Sequence, residues 1–307
     1  MRRALWVVRD RITTPAAVDD LLADAATRGI FDLVVQVRGR GDAYYSSSLE
    51  PRAEALAGDF DPLDRLTRYG AALGIRIHAW GNVFFVWSHP ERKLPRDPAH
   101  LVQRHPEWLL RPDGANTLDP AGGTDFEGIY TDPASAAARE HTLAVFDEIV
   151  RGYRVEGINY DYVRYPQVTY ASGPDDHRHV TRFVREAAAR LRHARPGIVI
   201  SADVFPDPAV ARERVLQQWP EWAAEGLVDL LCPMAYRRDS DEVARLLAAA
   251  RAAAPGTRMW GGLMAYAGEP ELVRRQVAVA RDAGCEAAIL FAYDPAQHEL
   301  LDAFATA

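Results

Sequence analysis

Short apolar runs alternate with longer segments of helical periodicity along the whole chain. There are eight such runs, and most of them carry apolar residues on both faces, as expected of parallel strands buried on both sides. We therefore predict strands at Ala4–Val8, Leu33–Arg38, Ile75–Asn82, Gly157–Tyr162, Val199–Val204, Leu230–Ala235, Met259–Met264 and Ala287–Ala292.

The segments between these runs carry helix start and stop signals. Thr14 followed by Pro15 is a typical N-cap and first helical residue, and Asp239 or Ser240 begins a helix after the sixth strand. In the last third of the chain the strands recur at roughly 30 residues, the size of one strand–helix unit. Eight such units predict an α/β fold, a single (β/α)8 TIM barrel over residues 1–307, with a doubly wound sheet as the alternative.

One connection is too long for a simple turn. The stretch 84–135, between the third and fourth predicted strands, is rich in Pro, Trp, His and Asp. Long loops in compact domains are usually functional. We expect an elaborated loop on the active face.

Composition narrows the class of protein. Of 307 residues, 48% are hydrophobic, and the 7 Trp, 12 Tyr and 10 Phe exclude a disordered chain. A net charge of −7 argues against a nucleic-acid partner, and no apolar run approaches the length of a membrane span. Cys232 and Cys285 are too few for a disulfide framework or a four-cysteine zinc site.

The N-terminus bears on the compartment. Arg2-Arg3 leads directly into the first predicted strand, without the apolar stretch and cleavage site of a secretory signal. We expect a cytoplasmic protein, or an exported one whose signal has been removed. The pattern makes no prediction of oligomeric state.

Candidate chemistry lies at the carboxyl ends of the strands, where barrels of this kind hold their active sites. The chain has no HExxH, paired CxxC, Gly-rich phosphate loop or GxSxG motif, so no metal or organic cofactor is expected. The side chains at these ends combine carboxylates, aromatic rings and planar polar groups, a mixture typical of sugar recognition. They are Arg38, Asp42, His78, Trp80, Asn82, Asn159, Asp161, Arg164, Tyr165, Asp203, Tyr236, Tyr266 and Asp294.

The segment Val155-Glu156-Gly157-Ile158-Asn159-Tyr160-Asp161-Tyr162-Val163-Arg164-Tyr165-Pro166 resembles the strand-four signature of the glycosyl-hydrolase-like family 10 proteins. Four further segments are similar to that family in the same order: Gln36–Tyr45, His78–Asn82, Ser201–Phe205 and Pro233–Tyr236. The resemblance implies a (β/α)8 barrel that acts on glycans, and for bacterial members peptidoglycan strands freed of their peptides.

Two departures from related patterns limit what carries over. Some members have two consecutive acids on the fourth strand, whereas here Tyr162 follows Asp161. The same strand overlays the GxDxDxE pattern of chitinase-type enzymes, but the general-acid Glu falls on Val163. We therefore do not expect chitinase chemistry in its usual form.

We predict a glycoside hydrolase that cleaves within an oligo- or polysaccharide, an amino-sugar polymer such as peptidoglycan on the family resemblance. Asp161 and Asp203 would be the two carboxyl groups that glycosidic hydrolysis needs, and the other strand-end residues would bind sugar.

Alternatives remain at several positions. Asp161 would otherwise form a structural pair with Arg164, and Asp203 would cap the loop after its strand. Arg38 needs a partner, either a ligand or Asp42. For His78, as for the aromatic residues, core packing is an equal alternative.

Two other functions stay open. A non-catalytic carbohydrate-binding barrel would keep the groove and lose the acid pair, and the absence of a Glu at the tip of the seventh predicted strand favours it. A lyase or an aldolase would want a lysine or a metal cluster. Lys93 is the only lysine, so Schiff-base chemistry at a strand end is not expected.

Overall fold

A computed structural model describes residues 1–91, 93–110, 127–167, 176–266 and 268–307. Its strands are β1 (Arg2–Val7), β2 (Asp32–Arg38), β3 (Arg76–Asn82), β4 (Phe85–Trp87), β5 (Ile129–Tyr130), β6 (Gly157–Asp161), β7 (Val199–Val204), β8 (Leu230–Pro233), β9 (Arg258–Met264) and β10 (Ala287–Phe291). Eight of them form a closed parallel barrel in the order β1-β2-β3-β6-β7-β8-β9-β10. β4 and β5 pair antiparallel outside it.

Helices lie between the barrel strands. They are α1 (Pro15–Thr27), α2 (Pro62–Ala72), α3 (Leu101–Arg104), α4 (Ala136–Gly152), α5 (Asp176–Ala194), α6 (Pro208–Val215), α7 (Trp219–Ala224), α8 (Ser240–Ala253), α9 (Pro270–Asp282) and α10 (His298–Thr306). Thr14 caps α1 by accepting from the Ala17 N–H, and of the two candidates for α8 the cap is Asp239. None of these described helices is long and apolar enough to cross a bilayer.

Two apolar layers stabilise the barrel. Inward-facing residues, among them Trp6, Trp80 and Trp260, fill the interior, and a larger layer packs the outer strand faces against the helices. Gly262 makes room for this filling, because a Cβ there would lie 3.0 Å from the Trp6 ring and 2.6 Å from the Pro233 carbonyl oxygen. The interior is thus a packed core with its open end at the carboxyl edge of the strands.

All eight predicted strands are present, with ends within two residues of the predicted bounds. The doubly wound alternative is wrong, since β1 pairs with β10 and closes the sheet. The long connection 84–135 contains the β4–β5 pair and α3, and its residues 92 and 111–126 lie outside the described residues.

Candidate active site

A pocket of about 660 Å³ opens at the carboxyl ends of the barrel strands. All eight strands, or the loops that directly follow them, contribute side chains to it. Aromatic side chains line much of it, including Trp6, Trp80, Tyr236 and Phe291, and Tyr266 stands 62% exposed at the mouth. Its size is in the range of small-ligand sites.

Asp161 and Asp203 lie side by side in this pocket. β6 pairs with β7 so that Tyr160 faces Ala202, and the two aspartates follow at the next step of the same register. Neighbouring strands are about 4.8 Å apart, so two inward side chains at one register position are close neighbours. The Asn159 Nδ2 donates to the Asp203 Oδ1 at 3.0 Å and fixes that carboxyl group.

Burial changes the protonation of both carboxyl groups. It raises the pKa of Asp161 to about 6, although the positive charge of Arg164 and the Tyr162 N–H, 2.7 Å from Oδ1, oppose the rise. Burial raises the pKa of Asp203 well above its ordinary value, and the negative charge of Asp161 adds to the rise. Because the two carboxyl groups are adjacent and buried, the pair releases its protons at higher pH than isolated carboxyl groups do, and the pKa of Asp203 is raised the more strongly.

Arg164 binds a different carboxylate from the one considered in the sequence. Its Nη1 and Nη2 lie 2.9 and 3.1 Å from the Oε2 and Oε1 of Glu127, which also accepts from the Tyr130 hydroxyl at 2.6 Å. Burial opposes ionisation of Glu127, yet the Arg164 and Tyr130 hydrogen bonds hold its pKa down at about 2. Glu127 therefore neutralises Arg164 and leaves Asp161 without a direct ion pair among the described residues.

Tyr162 forms the turn that follows Asp161. Its φ of 49° is in the left-handed region, unusual for a residue other than glycine. Its ring stacks on Phe85 at 4.7 Å between centroids, and the Arg164 guanidinium lies 4.7 Å from the ring centre. The tyrosine that stands in place of a second acid thus packs against the long connection and helps line the pocket.

The structure brings together seven predicted site residues and an eighth that supports them. Those lining the pocket are Asp161, Asp203, Trp80, Asn82, Arg164, Tyr236 and Tyr266, and Asn159 lies beneath them against Asp203.

Five predicted binding residues lie elsewhere, and the expectation for them is corrected. Arg38 is fully buried and forms an ion pair with Glu50, with Nε 2.9 Å from Oε1, so its partner is neither a ligand nor Asp42. The Asp42 carboxylate accepts from the Arg40 N–H at 2.8 Å, within its own turn. Asp294 lies 3.4 Å from Arg11 and accepts from the Ala296 N–H.

His78 and Tyr165 complete the set. The His78 Nε2 is 3.5 Å from the Asp32 Oδ1, deep in the barrel, and its ring packs edge-on against Trp260. Tyr165 is buried and does not line the pocket. Both His78 and Tyr165 therefore pack inside the fold, which was the alternative considered for His78.

Several pocket residues were missed in the sequence. Glu127 lies in the long connection, and nothing local in the sequence links it to Arg164, 37 residues later. Arg9 and Gln36 were not singled out, although each lies at the end of a barrel strand, where a search of every polar strand-end residue would have found them. No cluster of three His, Cys, Asp or Glu suited to a metal ion occurs among the residues that the structure describes.

Comparison with known proteins agrees with the sequence motif. A family model described as "Putative glycosyl hydrolase domain" matches residues 95–241, a range that holds both Asp161 and Asp203. The chain is 23% identical over 258 residues to the glycosyl hydrolase YngK of Bacillus subtilis (strain 168), covering 70% of this chain and 48% of that protein. It is 23% identical over 283 residues to the glycosyl hydrolase DigH of Escherichia coli (strain K12), covering 77% and 61%.

These matches confirm the resemblance to a glycosyl-hydrolase-like family. The chain spans about half to three fifths of the length of these curated relatives. Among solved structures, α-L-fucosidase isoenzyme 2 from Paenibacillus thiaminolyticus superimposes with a TM-score of 0.73 at 17% identity, covering 100% of this chain and 49% of that one. The endo-1,4-β-D-mannanase from Thermotoga petrophila gives 0.66 at 11% identity, with 99% of both chains covered. At such identities the likeness establishes the TIM-barrel fold alone.

Proposed function

We propose that this chain is a glycoside hydrolase whose two reacting carboxyl groups are Asp161 and Asp203. The observation that carries the proposal is their position at one register step on neighbouring strands, both with raised pKa values, in an aromatic-lined pocket. Hydrolysis of a glycosidic bond needs one group that is protonated and one that is ionised at the same pH.

The roles follow from the two environments. Asp203, the more deeply buried and the more strongly protonated, donates its proton to the leaving glycosidic oxygen as that bond breaks. Asp161, ionised above pH 6, attacks the anomeric carbon and forms a glycosyl ester. Water then displaces Asp161 while Asp203 takes back a proton, which restores both groups.

The strand spacing favours this retaining route. Retaining pairs stand about 5–5.5 Å apart, whereas inverting pairs leave about 6.5–9.5 Å for a water molecule. Neighbouring strands lie about 4.8 Å apart, and this backbone spacing is closer to the first range than to the second. The product is therefore expected to keep the anomeric configuration of the substrate.

The surrounding residues are suited to holding a sugar. Tyr266 and Tyr236 present rings to the pocket, their centroids 6.3 Å apart and their planes nearly perpendicular. Trp80 donates to the Asn82 Oδ1 at 3.3 Å, which orients that amide beside the pocket. Aromatic faces bind the apolar faces of sugar rings, and amides bind hydroxyl groups.

For the substrate we propose an amino-sugar polymer, with peptide-free peptidoglycan strands as the first candidate and cleavage within the chain. The support is the family resemblance of the β6 motif, since the two relatives are named only as glycosyl hydrolases.

The test is turnover by wild type, Asp161→Asn and Asp203→Asn on peptide-free peptidoglycan strands, chitin oligosaccharides and neutral glucans. Asp282→Asn, an exposed aspartate on α9, is the matched control. Cleavage by wild type and control, with loss in both site variants, is expected, and internal cleavage will give products of mixed length. Equal cleavage by all four proteins would refute the assignment, and binding without cleavage would favour a carbohydrate-binding barrel.

A further inference from the structure

Two arginines face the pocket on the side away from the aspartates. Arg9 follows β1 and Arg40 follows β2, and both line the pocket. Among the described residues neither forms an ion pair with a carboxylate. The Arg9 Nη1 donates to the neutral Gln36 Oε1 at 2.6 Å, and the Arg40 guanidinium lies 5.7 Å from the centre of the Trp87 ring.

Two buried arginines at this end of the barrel are neutralised, whereas Arg9 and Arg40 are partly buried. Arg38 pairs with Glu50 and Arg164 pairs with Glu127. Arg40 differs because its Nε is buried and has no hydrogen-bond partner among the described residues. Burial and the charge of Arg9 both lower its pKa, while Asp42 opposes this only from a distance, its Oδ1 being bound to the Arg40 backbone N–H.

Gly39 leaves the space that the Arg9 side chain occupies. A Cβ at residue 39 would lie 2.6 Å from the Arg9 Cδ and 2.8 Å from its Nη1, so only a glycine lets Arg9 lie across this strand end. Gln36, which holds Arg9, donates in turn to the Asn82 Oδ1 at 3.4 Å, and the Asn82 Nδ2 donates to the Gly39 carbonyl oxygen at 2.6 Å.

Two neighbouring cations, neither of them in an ion pair with a described carboxylate, repel each other, and a bound anion reduces that cost. We propose that Arg9 and Arg40 form an anion subsite that binds a carboxylate carried by the glycan, and hence that this pocket takes an acidic sugar. The inference rests on the proposed function, which it narrows to acidic glycans. Arginine suits this role because its planar fork matches a carboxylate and stays charged.

The subsite is tested by binding, separately from cleavage. Three disaccharides serve as probes: N-acetylglucosaminyl-N-acetylmuramic acid, glucuronyl-N-acetylglucosamine, and the neutral di-N-acetylchitobiose. Dissociation constants are measured by calorimetry for Asp161→Asn, which prevents turnover, alone and combined with Arg9→Gln or Arg40→Gln. Arg68→Gln, whose side chain is 74% exposed on α2, is the control for net charge.

We expect the acidic disaccharides to bind about tenfold more tightly than chitobiose, one charged hydrogen bond being worth about that factor. Either pocket substitution should remove this preference and leave chitobiose affinity unchanged, whereas Arg68→Gln should keep it. Gly39→Ala, which displaces Arg9 without changing charge, should act like Arg9→Gln.

Equal affinities, no binding of any probe, or a preference that survives both substitutions would overturn the subsite. A further outcome would also overturn the subsite: sodium acetate competes with the probes in an arginine-dependent way, but the acidic disaccharides bind no more tightly than chitobiose. The arginines would then bind a free anion rather than an acidic sugar. These results distinguish a failure of the proposed subsite from a failure of the proposed hydrolase activity. Arginine-dependent binding without cleavage by wild type refutes only the hydrolase, and cleavage of neutral and acidic glycans alike refutes only the subsite.

Discussion

Replacing Asp161 with Asn should stabilise the fold while it abolishes cleavage. Burial raises the pKa of Asp161 from 3.8 to about 6, so the folded protein binds a proton between these values that the unfolded chain has lost. In wild type, the contribution of Asp161 to the free energy of unfolding is therefore highest below pH 4. It decreases as the pH rises to 6 and is constant at higher pH. Asn carries no charge at any pH, so the variant does not lose this contribution to the free energy of unfolding.

The size of the effect follows from the shift. A change of about 2 pKa units corresponds to about 3 kcal/mol in the free energy of unfolding, as an upper value for pH 8. At pH 4 the gain should fall below about 1 kcal/mol. The Tyr162 N–H keeps an acceptor in the variant, because the amide oxygen of Asn replaces Oδ1.

The measurement is urea unfolding of wild type and Asp161→Asn at pH 4, 6 and 8, with the two proteins compared at each pH. Asp282→Asn, at an exposed position, should show no pH-dependent difference from wild type. If Asp161→Asn is no more stable than wild type at pH 8, or gains equally at pH 4 and pH 8, ionised Asp161 is not strained by burial and the assignment of its role fails.

Three further results are expected. The pH dependence of kcat/KM should fall on the acid side near pH 6, where Asp161 becomes protonated, and on the alkaline side as Asp203 ionises, measured over pH 4–10. Glu127→Gln should lower the free energy of unfolding at pH 7 by about 2 kcal/mol in urea titrations, since it leaves Arg164 buried and unpaired. Gly262→Ala should cost about 1–3 kcal/mol in the same assay, because the barrel interior has no space for a Cβ.

Two control substitutions show whether the losses of stability expected for Glu127→Gln and Gly262→Ala are specific to those sites. Glu271→Gln breaks an exposed pair with Arg274 and should change stability by less than about 0.5 kcal/mol. Gly256→Ala adds a Cβ where no atom lies within 4 Å and should be tolerated. A cost at these positions equal to that at Glu127 and Gly262, or a flat pH profile, would contradict the reasoning.

The barrel was predictable from local patterns. The segment Leu230–Ala235 is apolar on both faces and is followed by a helical stripe, a pattern that fits a strand of a parallel sheet covered by helices. The same logic placed Asp161 and Asp203 together, because the carboxyl ends of parallel strands meet at one edge.

Side-chain partners were not predictable, because they come from distant loops. Arg38 was expected at the pocket, yet Glu50 from the following loop holds it inside the fold. Arg164 was weighed against Asp161, three residues away, while its partner Glu127 comes from the long connection. Periodicity reports which face a residue occupies, and it carries no information on which loop acid reaches that face.

The roles of the two aspartates are tested most directly by rescue with azide, using an aryl glycoside of the oligosaccharide that wild type cleaves. If Asp161 is the nucleophile, Asp161→Ala with azide should give a glycosyl azide of inverted configuration, since azide attacks in its place. Asp203→Ala with azide should give the retained product, through the Asp161 ester. Proton NMR of the products decides between the two. The opposite assignment of configurations, or equal turnover by both variants without azide, would contradict this account.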